Sequence, residues 1–349
     1  MGVGAFIGCL PLYGVHLLLV VGVGRVLGLN RLRMYIAANI SNPLFAPALI
    51  LAEVQAGAFV RRGQVHDLTL TAMRATDPWV YGIDLVIGSL IIGTAIGLVM
   101  AALTWVSVAS APQLPSHVAR VFDAAAYRFL DVGVTAWEFA RAKLRRDPIY
   151  SAALAVLPPS GSTLVDVGCG QGLTLAVLFE ASLAVSRGEW PPESSLPPRF
   201  GRLVGIETRA RVAAMARRAL GEGADIVHDA APGGLPAQMT AAIVFDVLHL
   251  MLARDQEGLI AALFARLEAG GTVLVRDVDA AAGAGFHAVR IGNRLKNLAV
   301  GQFRQTFHFR TADEWVTLFT RAGFAVERSP MGHGTPFANV LFKLTKGRA

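Results

Sequence analysis

The chain has 349 residues, of which 54% are hydrophobic and only 16% charged, with a net charge of +7 and a mean hydropathy of +0.50. Average soluble domains carry about 25% charged residues, so this composition excludes a uniformly soluble protein and predicts that part of the chain lies in lipid. The basic residues are scattered without an aromatic-basic stripe, which favours anionic lipid headgroups as their partners and predicts no nucleic-acid binding.

Three apolar stretches lie in residues 1–112, which we predict to be a membrane domain with two or three transmembrane segments. Residues 3–23 are predicted to span once, bent near Pro11. Residues 85–108 carry no charge and are predicted to span once, because about 20 apolar residues cross a bilayer core. Residues 34–60 contain a central Asn-Ile-Ser-Asn-Pro, which predicts either a broken helix or a re-entrant hairpin.

The pattern Gly8-x-x-Pro11-x-x-Gly14-x-His16, followed by Asn30 and Ser41-Asn42-Pro43, resembles a bacterial membrane domain family of unknown function. Arginines between the first two stretches predict a cytoplasmic side for that loop, and Arg61, Arg62 and Arg74 in the next loop weaken this prediction. We therefore predict a multi-pass protein of the bacterial inner membrane with a cytoplasmic catalytic domain. His16 is either functional or, as we favour, a hydrogen-bonded residue within the helix bundle.

Residues 113–150 are predicted to be an amphipathic connector, with apolar residues at helical spacing from 116 to 144. Basic residues near the end of this helix suit its C-terminal dipole, and Asp147-Pro148 is predicted to end it. The helix either lies on the membrane surface or packs on the following domain as a cover. Both interpretations stay open from the sequence.

In residues 164–172 an apolar run ends in Asp166 and continues as Gly168-Cys169-Gly170-Gln171-Gly172, before a predicted helix over 173–186. Glycines are required where backbone turns tightly and approaches a ligand. The stretch resembles motif I of class I S-adenosylmethionine-dependent methyltransferases, and its glycine spacing differs from the G-x-G-x-x-G of nicotinamide enzymes.

That resemblance implies that residues 151–349 form a Rossmann-like seven-stranded α/β sheet with helices on both faces and a final antiparallel hairpin. The implied cofactor is S-adenosyl-L-methionine. The cofactor-binding residues implied in this stretch are Asp166, Gly168, Cys169, Gly170 and Gly172.

Two later strand ends carry acidic residues that extend the resemblance. Glu207 ends a predicted strand, and the resemblance implies that its carboxylate accepts hydrogen bonds from both ribose hydroxyls. A proline-rich insertion over residues 187–201 accounts for its distance from the glycines. Asp229 ends the next predicted strand and by resemblance contacts the adenine amino group, although His228 is an alternative.

A fourth predicted strand, with its exit loop, occupies residues 241–251 and contains Asp246 and His249. Strand ends of open α/β sheets face the ligand crevice, so both are candidate catalytic residues, and Asp246 is also a candidate for cofactor binding. His249 either serves as general base toward a hydroxyl or only caps a helix or packs on the cofactor. Asp277 and Asp279 follow the fifth strand and are predicted to be solvated loop acids.

No metal site is predicted, because the two cysteines, Cys9 and Cys169, are far apart and the paired acids have no further ligands. Residues 280–285 and the basic stretch 290–304 resemble a lid or a substrate-facing insertion, and a solvated helix face is the default interpretation. Its candidate anion-binding residues are Arg290, Arg294, Lys296 and Arg304. A helix over 311–322 and strands over 324–328 and 338–344 complete the pattern.

Several stretches together resemble methyltransferases of aryl polyene (xanthomonadin-type) pigment biosynthesis in Gram-negative bacteria. They are residues 142–148, 166–173, 275–279, 307–310 and 334–340. The resemblance implies a hydrophobic aromatic or polyene acyl acceptor at the membrane and leaves carbon or oxygen methylation open. A quinone or other lipid methyltransferase is an alternative, as is a membrane scaffold with a non-catalytic fold, against which the intact glycines and Glu207 argue.

Overall fold

The structure, a computed structural model, describes residues 1–12, 14–67, 69, 71, 74, 77–109, 113–283, 286, 306–331 and 338–348. The chain divides into two compact units, Met1–Ser110 and Ala111–Ala349. The described part of the first unit is helical, and the second is built on a β-sheet. The predicted basic insertion, with Arg290, Arg294, Lys296 and Arg304, lies outside the described residues, as do residues 332–337.

The first unit contains five described helices and a 3₁₀ turn at Asn39–Ser41. Within the described residues, one helix is long and apolar enough to cross a membrane, over Pro78–Val106. It begins before the predicted segment, at residue 78. The helices are α1 (Gly2–Cys9), α2 (His16–Val26), α3 (Arg31–Ala38), α4 (Ala46–Arg62) and α5 (Pro78–Ala109).

The structure corrects the predicted single span over residues 3–23. Helix α1 has 8 residues and α2 has 11, and an irregular segment separates them. Leu10 is extended, as residues before a proline prefer, and Gly14 has φ +89°. The ring Nε2 of His16 lies 2.9 Å from the carbonyl oxygen of Leu10, so the histidine stabilises this break.

The second apolar stretch is bent by 77° between Arg31–Ser41 and Ala46–Arg62, as a broken span or a re-entrant loop would be. The Asn42 side-chain oxygen accepts hydrogen bonds from the backbone N–H groups of Leu44 and Phe45, at 3.0 and 3.3 Å. Asparagine offers the backbone such local bonds in place of helical ones. The bend therefore follows from the Asn-Pro sequence, and both predicted alternatives remain compatible with it.

Helices α4 and α5 approach so closely that glycine is required at their crossing. A Cβ on Gly57 would lie 1.8 Å from the carbonyl oxygen of Asp84, and one on Gly88 would lie 1.7 Å from that of Glu53. The Asp84 carboxylate is buried and pairs with Arg61 at 2.8 Å, Arg62 at 2.7 Å and His66 at 2.6 Å. This crossing is the tightest helix contact described in the first unit.

The second unit contains, in its described part, a seven-stranded sheet in the order β3-β2-β1-β4-β5-β7-β6. The first five strands are parallel, and β7 runs antiparallel to both β5 and β6. The predicted α/β sheet and its final hairpin are confirmed. The strands are β1 (Ser160–Val167), β2 (Arg199–Ile206), β3 (Asp225–Val227), β4 (Met239–Phe245), β5 (Leu267–Val278), β6 (Phe324–Pro330) and β7 (Asn339–Lys346).

Helices cover both faces of this sheet. One core layer holds residues from α6 to α10, and the opposite layer holds residues from α11 and α12. The helices are α6 (Ser116–Tyr127), α7 (Val134–Arg146), α8 (Ile149–Val156), α9 (Leu173–Ser186), α10 (Ala210–Leu220), α11 (Ala253–Arg266) and α12 (Ala312–Arg321). Because β1 has β2 on one side and β4 on the other, a crevice opens between the carboxyl ends of β1 and β4.

The connector differs from the single helix that the sequence predicted. It forms α6, a 3₁₀ turn at Arg128–Leu130 and α7, with the break beside the buried ring of Phe129 and at Gly133, whose φ is +142°. Buried Phe122 and Phe129 belong to the same core cluster as Leu164 of β1. The connector therefore packs on the sheet domain as a cover.

Candidate cofactor and acceptor site

The glycine turn lies at the carboxyl end of β1 and is anchored to the neighbouring strand. The backbone N–H groups of Gly168 and Cys169 both donate to the carbonyl oxygen of Ile206, at 2.8 and 3.0 Å. All three glycines have positive φ angles, of 71°, 58° and 84° in chain order. L-residues rarely adopt this left-handed conformation, so the local backbone explains why glycine stands at these positions.

The three glycines have different surroundings. A Cβ on Gly168 would lie 2.4 Å from the Val247 side chain, and one on Gly172 would lie 2.6 Å from Leu220. A Cβ on Gly170 would meet no described atom within 4 Å. Gly168 and Gly172 thus serve packing within the protein, whereas Gly170 borders open space that a ligand can enter.

Glu207 lies at the end of β2, is 3% exposed, and faces the glycine turn. Its carboxylate accepts a hydrogen bond from the Gly170 N–H at 3.1 Å and from Arg209 Nε at 2.9 Å. Burial alone raises the pKa of Glu207, but the bonds from Arg209 and Gly170 outweigh it and hold the pKa below its usual value. The Glu207 carboxylate is therefore ionised. It lies beside the open space, with Gly170 and Arg209 as its hydrogen-bond donors.

Asp166 is buried near the end of β1, and burial raises its pKa to about 8, with a smaller contribution from the negative charge of Glu207. Burial also raises the pKa of the Cys169 thiol, and Asp166 and Glu207 add to that effect. The thiol is neutral at physiological pH. A cationic ligand near Asp166 would favour the ionised carboxylate.

Asp229 lies two residues beyond β3 and is exposed. Its Oδ1 accepts a hydrogen bond from the N–H of Ala230 at 2.7 Å, and the ring Nε2 of His228 lies 3.0 Å from the carbonyl oxygen of Thr208. The structure places both at the carboxyl edge of the sheet. The proposed adenine contact of Asp229 stays a prediction.

Asp246 follows β4 directly and has φ +59°, an unusual backbone conformation for a residue other than glycine. Its carboxylate is paired with Arg276 of β5, whose Nε donates to Oδ1 at 3.0 Å. Burial tends to raise the pKa of Asp246, but the positive charge and hydrogen bonds of Arg276 outweigh it and lower the pKa. Asp246 is thus a fixed anion next to Val247, which contacts the glycine turn.

His249 lies in a 3₁₀ turn after β4, is 5% exposed, and is held by Asp277. Asp277 accepts a hydrogen bond from the His249 N–H at 3.1 Å and lies 2.8 Å from ring Nδ1. The His249 ring stacks on Phe309, with centroids 5.1 Å apart and planes at 13°, and Phe307 follows at 5.8 Å from Phe309. The catalytic candidate therefore belongs to an aromatic cluster.

Asp277 corrects the prediction of solvated acids after β5. It lies inside the strand, is 1% exposed, and accepts bonds from His249 and from the N–H of Val278 at 2.7 Å. Asp279 organises its loop, since its Oδ1 accepts from the N–H groups of Ala281 and Ala312 at 2.9 and 3.1 Å. Within the described residues, no group of three His, Cys, Asp or Glu side chains is arranged to hold a metal ion.

Sequence reasoning missed the roles of Asp147 and Arg276. Arg276 is 3% exposed, and two of its nitrogens donate to Asp147, which directly follows α7. The available signal was an arginine at the end of an apolar strand, because a buried charge requires a partner. The same cluster contains buried Tyr150, whose pKa is raised well above its usual value by burial and then by Asp147.

The comparisons with known proteins divide the chain in the same way. Residues 1–111 match a family described as an uncharacterized protein conserved in bacteria. Residues 136–329 match a family described as a methyltransferase domain, which is more than half of the chain. The chain belongs to this methyltransferase family. The matched range begins within α7, so the second connector helix is part of the methyltransferase domain.

Solved structures with similar folds include several methyltransferases. One is an S-adenosylmethionine-dependent methyltransferase from Thermotoga maritima, a possible histamine N-methyltransferase, at 20% identity and TM-score 0.38, covering 63% of this chain and 99% of that one. Another is the N-methyltransferase NodS from Bradyrhizobium japonicum with S-adenosyl-L-homocysteine, at 14% identity and TM-score 0.42, covering 65% and 98%. No curated protein matches the chain in sequence. The acceptors named for these structures are not assigned to this chain.

The methyltransferase uses S-adenosylmethionine, and the described residues fit that cofactor. Gly170 borders open space, and the ionised Glu207 beside it is an acceptor that hydroxyl groups can reach where they replace the exposed side chain of Arg209, its present donor. The side-chain oxygen of Gln171 is buried without a hydrogen-bond partner among the described residues, so it too can accept a bond from a ligand. The buried carboxyl of Asp166 suits a ligand that carries positive charge.

Proposed function

We propose that this methyltransferase transfers a methyl group to a hydroxyl of a hydrophobic, membrane-associated acceptor, an aromatic or polyene lipid precursor. The observation that carries this proposal is the His249–Asp277 pair, stacked on Phe309 at the carboxyl edge of β4 and β5. A hydroxyl acceptor must lose a proton, and a histidine oriented by a carboxylate is suited to take it.

The Asp277 carboxylate accepts a hydrogen bond from the N–H at His249 Nδ1, which leaves the basic lone pair of the ring on Nε2. His249 can then take the hydroxyl proton as the acceptor oxygen becomes nucleophilic, and Asp277 stabilises the imidazolium that forms. When bound, S-adenosylmethionine supplies an activated methyl group on a sulfonium. The residues proposed to hold this cofactor are Asp166, Gly168, Cys169, Gly170, Gly172, Glu207 and Asp229. Asp246 is proposed to lie beside its methyl group.

Aromatic side chains favour a flat, conjugated acceptor. Phe307 and Phe309 have stacked rings, and Phe309 in turn lies parallel to His249. Such faces bind planar π-systems by offset stacking. This agrees with the resemblance of residues 142–148, 166–173 and 275–279 to aryl polyene pigment methyltransferases, and it gives the proposed substrate class.

The first unit supports a membrane location for the acceptor. It matches a bacterial family, and one of its described helices can cross a bilayer by length and composition. We propose a multi-pass protein of the bacterial inner membrane with its methyltransferase domain in the cytoplasm, where the cofactor is made. The net charge of +7 favours anionic lipid as a further partner.

Mass spectrometry of lipid and pigment extracts tests the substrate class. In a strain that lacks the protein, an aromatic or polyene component should lose the mass of one methylene group, and the complete gene should restore it. An unchanged pigment together with an undermethylated quinone would reject the aromatic lipid precursor and establish the quinone alternative.

A further inference from the structure

Arg276 forms a bridge between the connector and the exit of β4. Its Nε and Nη2 donate to Asp246, and its Nη1 and Nη2 donate to Asp147, with Nη2–Oδ2 at 3.0 Å for the latter. The two carboxylates belong to residues 99 positions apart, 147 and 246, and Arg276 itself is 3% exposed. A guanidinium presents a rigid planar set of donors that fits two carboxylates at once.

The bridge acts on a backbone that needs support. Asp246 has φ +59°, a strained conformation for a residue other than glycine, which persists only where the surrounding structure holds it. The Asp246 N–H also donates to the carbonyl oxygen of Arg276 at 2.9 Å, so main chain and side chain are both tied to β5. Val247, the next residue, lies against Gly168.

The connector supplies two of the charged groups at this bridge, Asp147 and Lys143. Arg276 with Asp147 and Asp246 carries one net negative charge, and Lys143 of α7, 3.7 Å from Asp147, offsets part of it. Lys143 is partly exposed, so its charge is screened by solvent. The Asp246 carboxylate therefore stays anionic. Its position depends on Arg276, which in turn is held by Asp147, a residue outside the parallel strands.

We propose that Arg276 and Asp147 are positioning residues that hold Asp246 in place for the methyl-transfer step. The connector thereby contributes to the reaction site as well as covering the sheet. This inference rests on the proposed function. It separates two parts of the site: Glu207 and the glycine turn govern cofactor affinity, while the bridge governs how productively the bound acceptor and methyl group are aligned.

The experiment compares Arg276→Lys and Asp147→Asn with the wild type in the full-length protein. Calorimetry with S-adenosylmethionine gives cofactor affinity. Transfer of tritium from methyl-labelled S-adenosylmethionine into a chloroform extract of bacterial membranes gives the turnover rate. Lysine keeps the charge of Arg276, but its ammonium group cannot reproduce the planar set of donors that bonds Asp246 and Asp147 at once.

We expect Arg276→Lys to keep cofactor affinity within about threefold while the transfer rate falls about tenfold, which is about 1.4 kcal/mol in the barrier. Asp147→Asn should show a smaller loss of the same kind, because Arg276 still holds Asp246. This variant also tests the inference if Arg276→Lys does not fold, since Asp147 lies at the end of α7 and is not fully buried.

Arg128→Lys is the matched control. Arg128 also belongs to the connector and pairs with a carboxylate, Glu180 of α9, at 2.5 Å, about two turns from the glycine loop. We expect Arg128→Lys to lower the thermal midpoint about as much as Arg276→Lys does and to leave the transfer rate unchanged. Equal rate losses in Arg276→Lys and Arg128→Lys, or a parallel loss of affinity and rate in Arg276→Lys, would overturn the inference. A wild type that binds the cofactor but labels no extract would reject the proposed function itself.

Discussion

Asp277 holds His249 through two hydrogen bonds, one from the backbone N–H at 3.1 Å and one at ring Nδ1 at 2.8 Å. The carboxylate thus fixes both the position of the residue and the tautomer of its ring. Both side chains are buried, so the pair is shielded from competing water. This relationship gives the His249 ring a defined orientation, which its proposed role as proton acceptor requires.

Asp277→Asn should lower the methyl-transfer rate strongly while cofactor affinity changes little. An amide oxygen is a weaker acceptor for the hydrogen bond from Nδ1–H and stabilises an imidazolium poorly, and general-base catalysis contributes about 10²–10⁴-fold. Labelled transfer and calorimetry measure the two quantities. Asp225→Asn is the control, because Asp225 begins β3 at the opposite edge and is exposed. An unchanged rate in Asp277→Asn would remove His249 from the proposed role.

Gly170→Val should abolish binding of S-adenosylmethionine. The left-handed backbone at φ +58° is unfavourable for valine, and the side chain would fill the open space beside Glu207. Gly188→Val is the matched control, since Gly188 has φ +71° and open surroundings but follows the far end of α9. Calorimetry should show loss of binding only for Gly170→Val. Retained affinity would place the cofactor elsewhere.

The affinity for S-adenosylmethionine should rise as the pH increases toward 8. Burial raises the pKa of Asp166 to about 8, so below that pH the folded protein keeps the carboxyl protonated, whereas a sulfonium ligand favours the carboxylate. Binding should release a proton, which calorimetry in buffers of different ionisation enthalpy detects. Asp166→Asn should remove this pH dependence. A flat profile in the wild type would contradict the contact between Asp166 and the cofactor.

The same carboxyl has an opposite effect on the ligand-free fold. Because the pKa is raised, the contribution of Asp166 to the free energy of unfolding is fully present below the usual carboxyl pKa of ~4. It is lost as the pH rises to about 8. Asp166→Asn should therefore raise the thermal midpoint of the ligand-free protein at alkaline pH while it weakens cofactor binding. A lower midpoint at that pH would contradict a raised pKa of Asp166 in the folded protein.

Gly88→Ala should loosen the crossing of α4 and α5. Its Cβ would lie 1.7 Å from the carbonyl oxygen of Glu53, and overpacking of this kind costs about 1–3 kcal/mol. Gly82→Ala lies on the same helix and meets no described atom within 4 Å, so it is the control. Hydrogen exchange of the full-length protein should show lower protection of both helices only in Gly88→Ala. Equal protection in the two variants would contradict the close crossing.

Local signals in the sequence predicted most of the sheet domain. The glycine turn, the helix at Leu173–Ser186 and the strand before Glu207 all follow from periodicity and turn residues, which act over a few positions. Asp147 and Arg276 are 129 positions apart, and no periodicity relates them. Their pairing follows from tertiary packing of the connector, and so does the burial of Asp277.

The first unit, Met1–Ser110, shows the complementary difficulty. An apolar run predicts lipid exposure but not whether the helix continues through it. Pro11 and Gly14 divide the first run into two short helices, and the His16–Leu10 contact stabilises that break. The composition of an apolar run does not show where proline and glycine interrupt its helix.

In the proposed function, His249 takes part in methyl transfer to a hydrophobic acceptor. The most direct measurement incubates the purified full-length protein with methyl-tritiated S-adenosylmethionine and a chloroform extract of membranes from the deletion strain. We expect tritium to enter the organic phase with the wild type, and its incorporation to fall at least about a hundredfold with His249→Ala, which still binds the cofactor. Equal labelling by wild type and His249→Ala, or no labelling by the wild type, would contradict it.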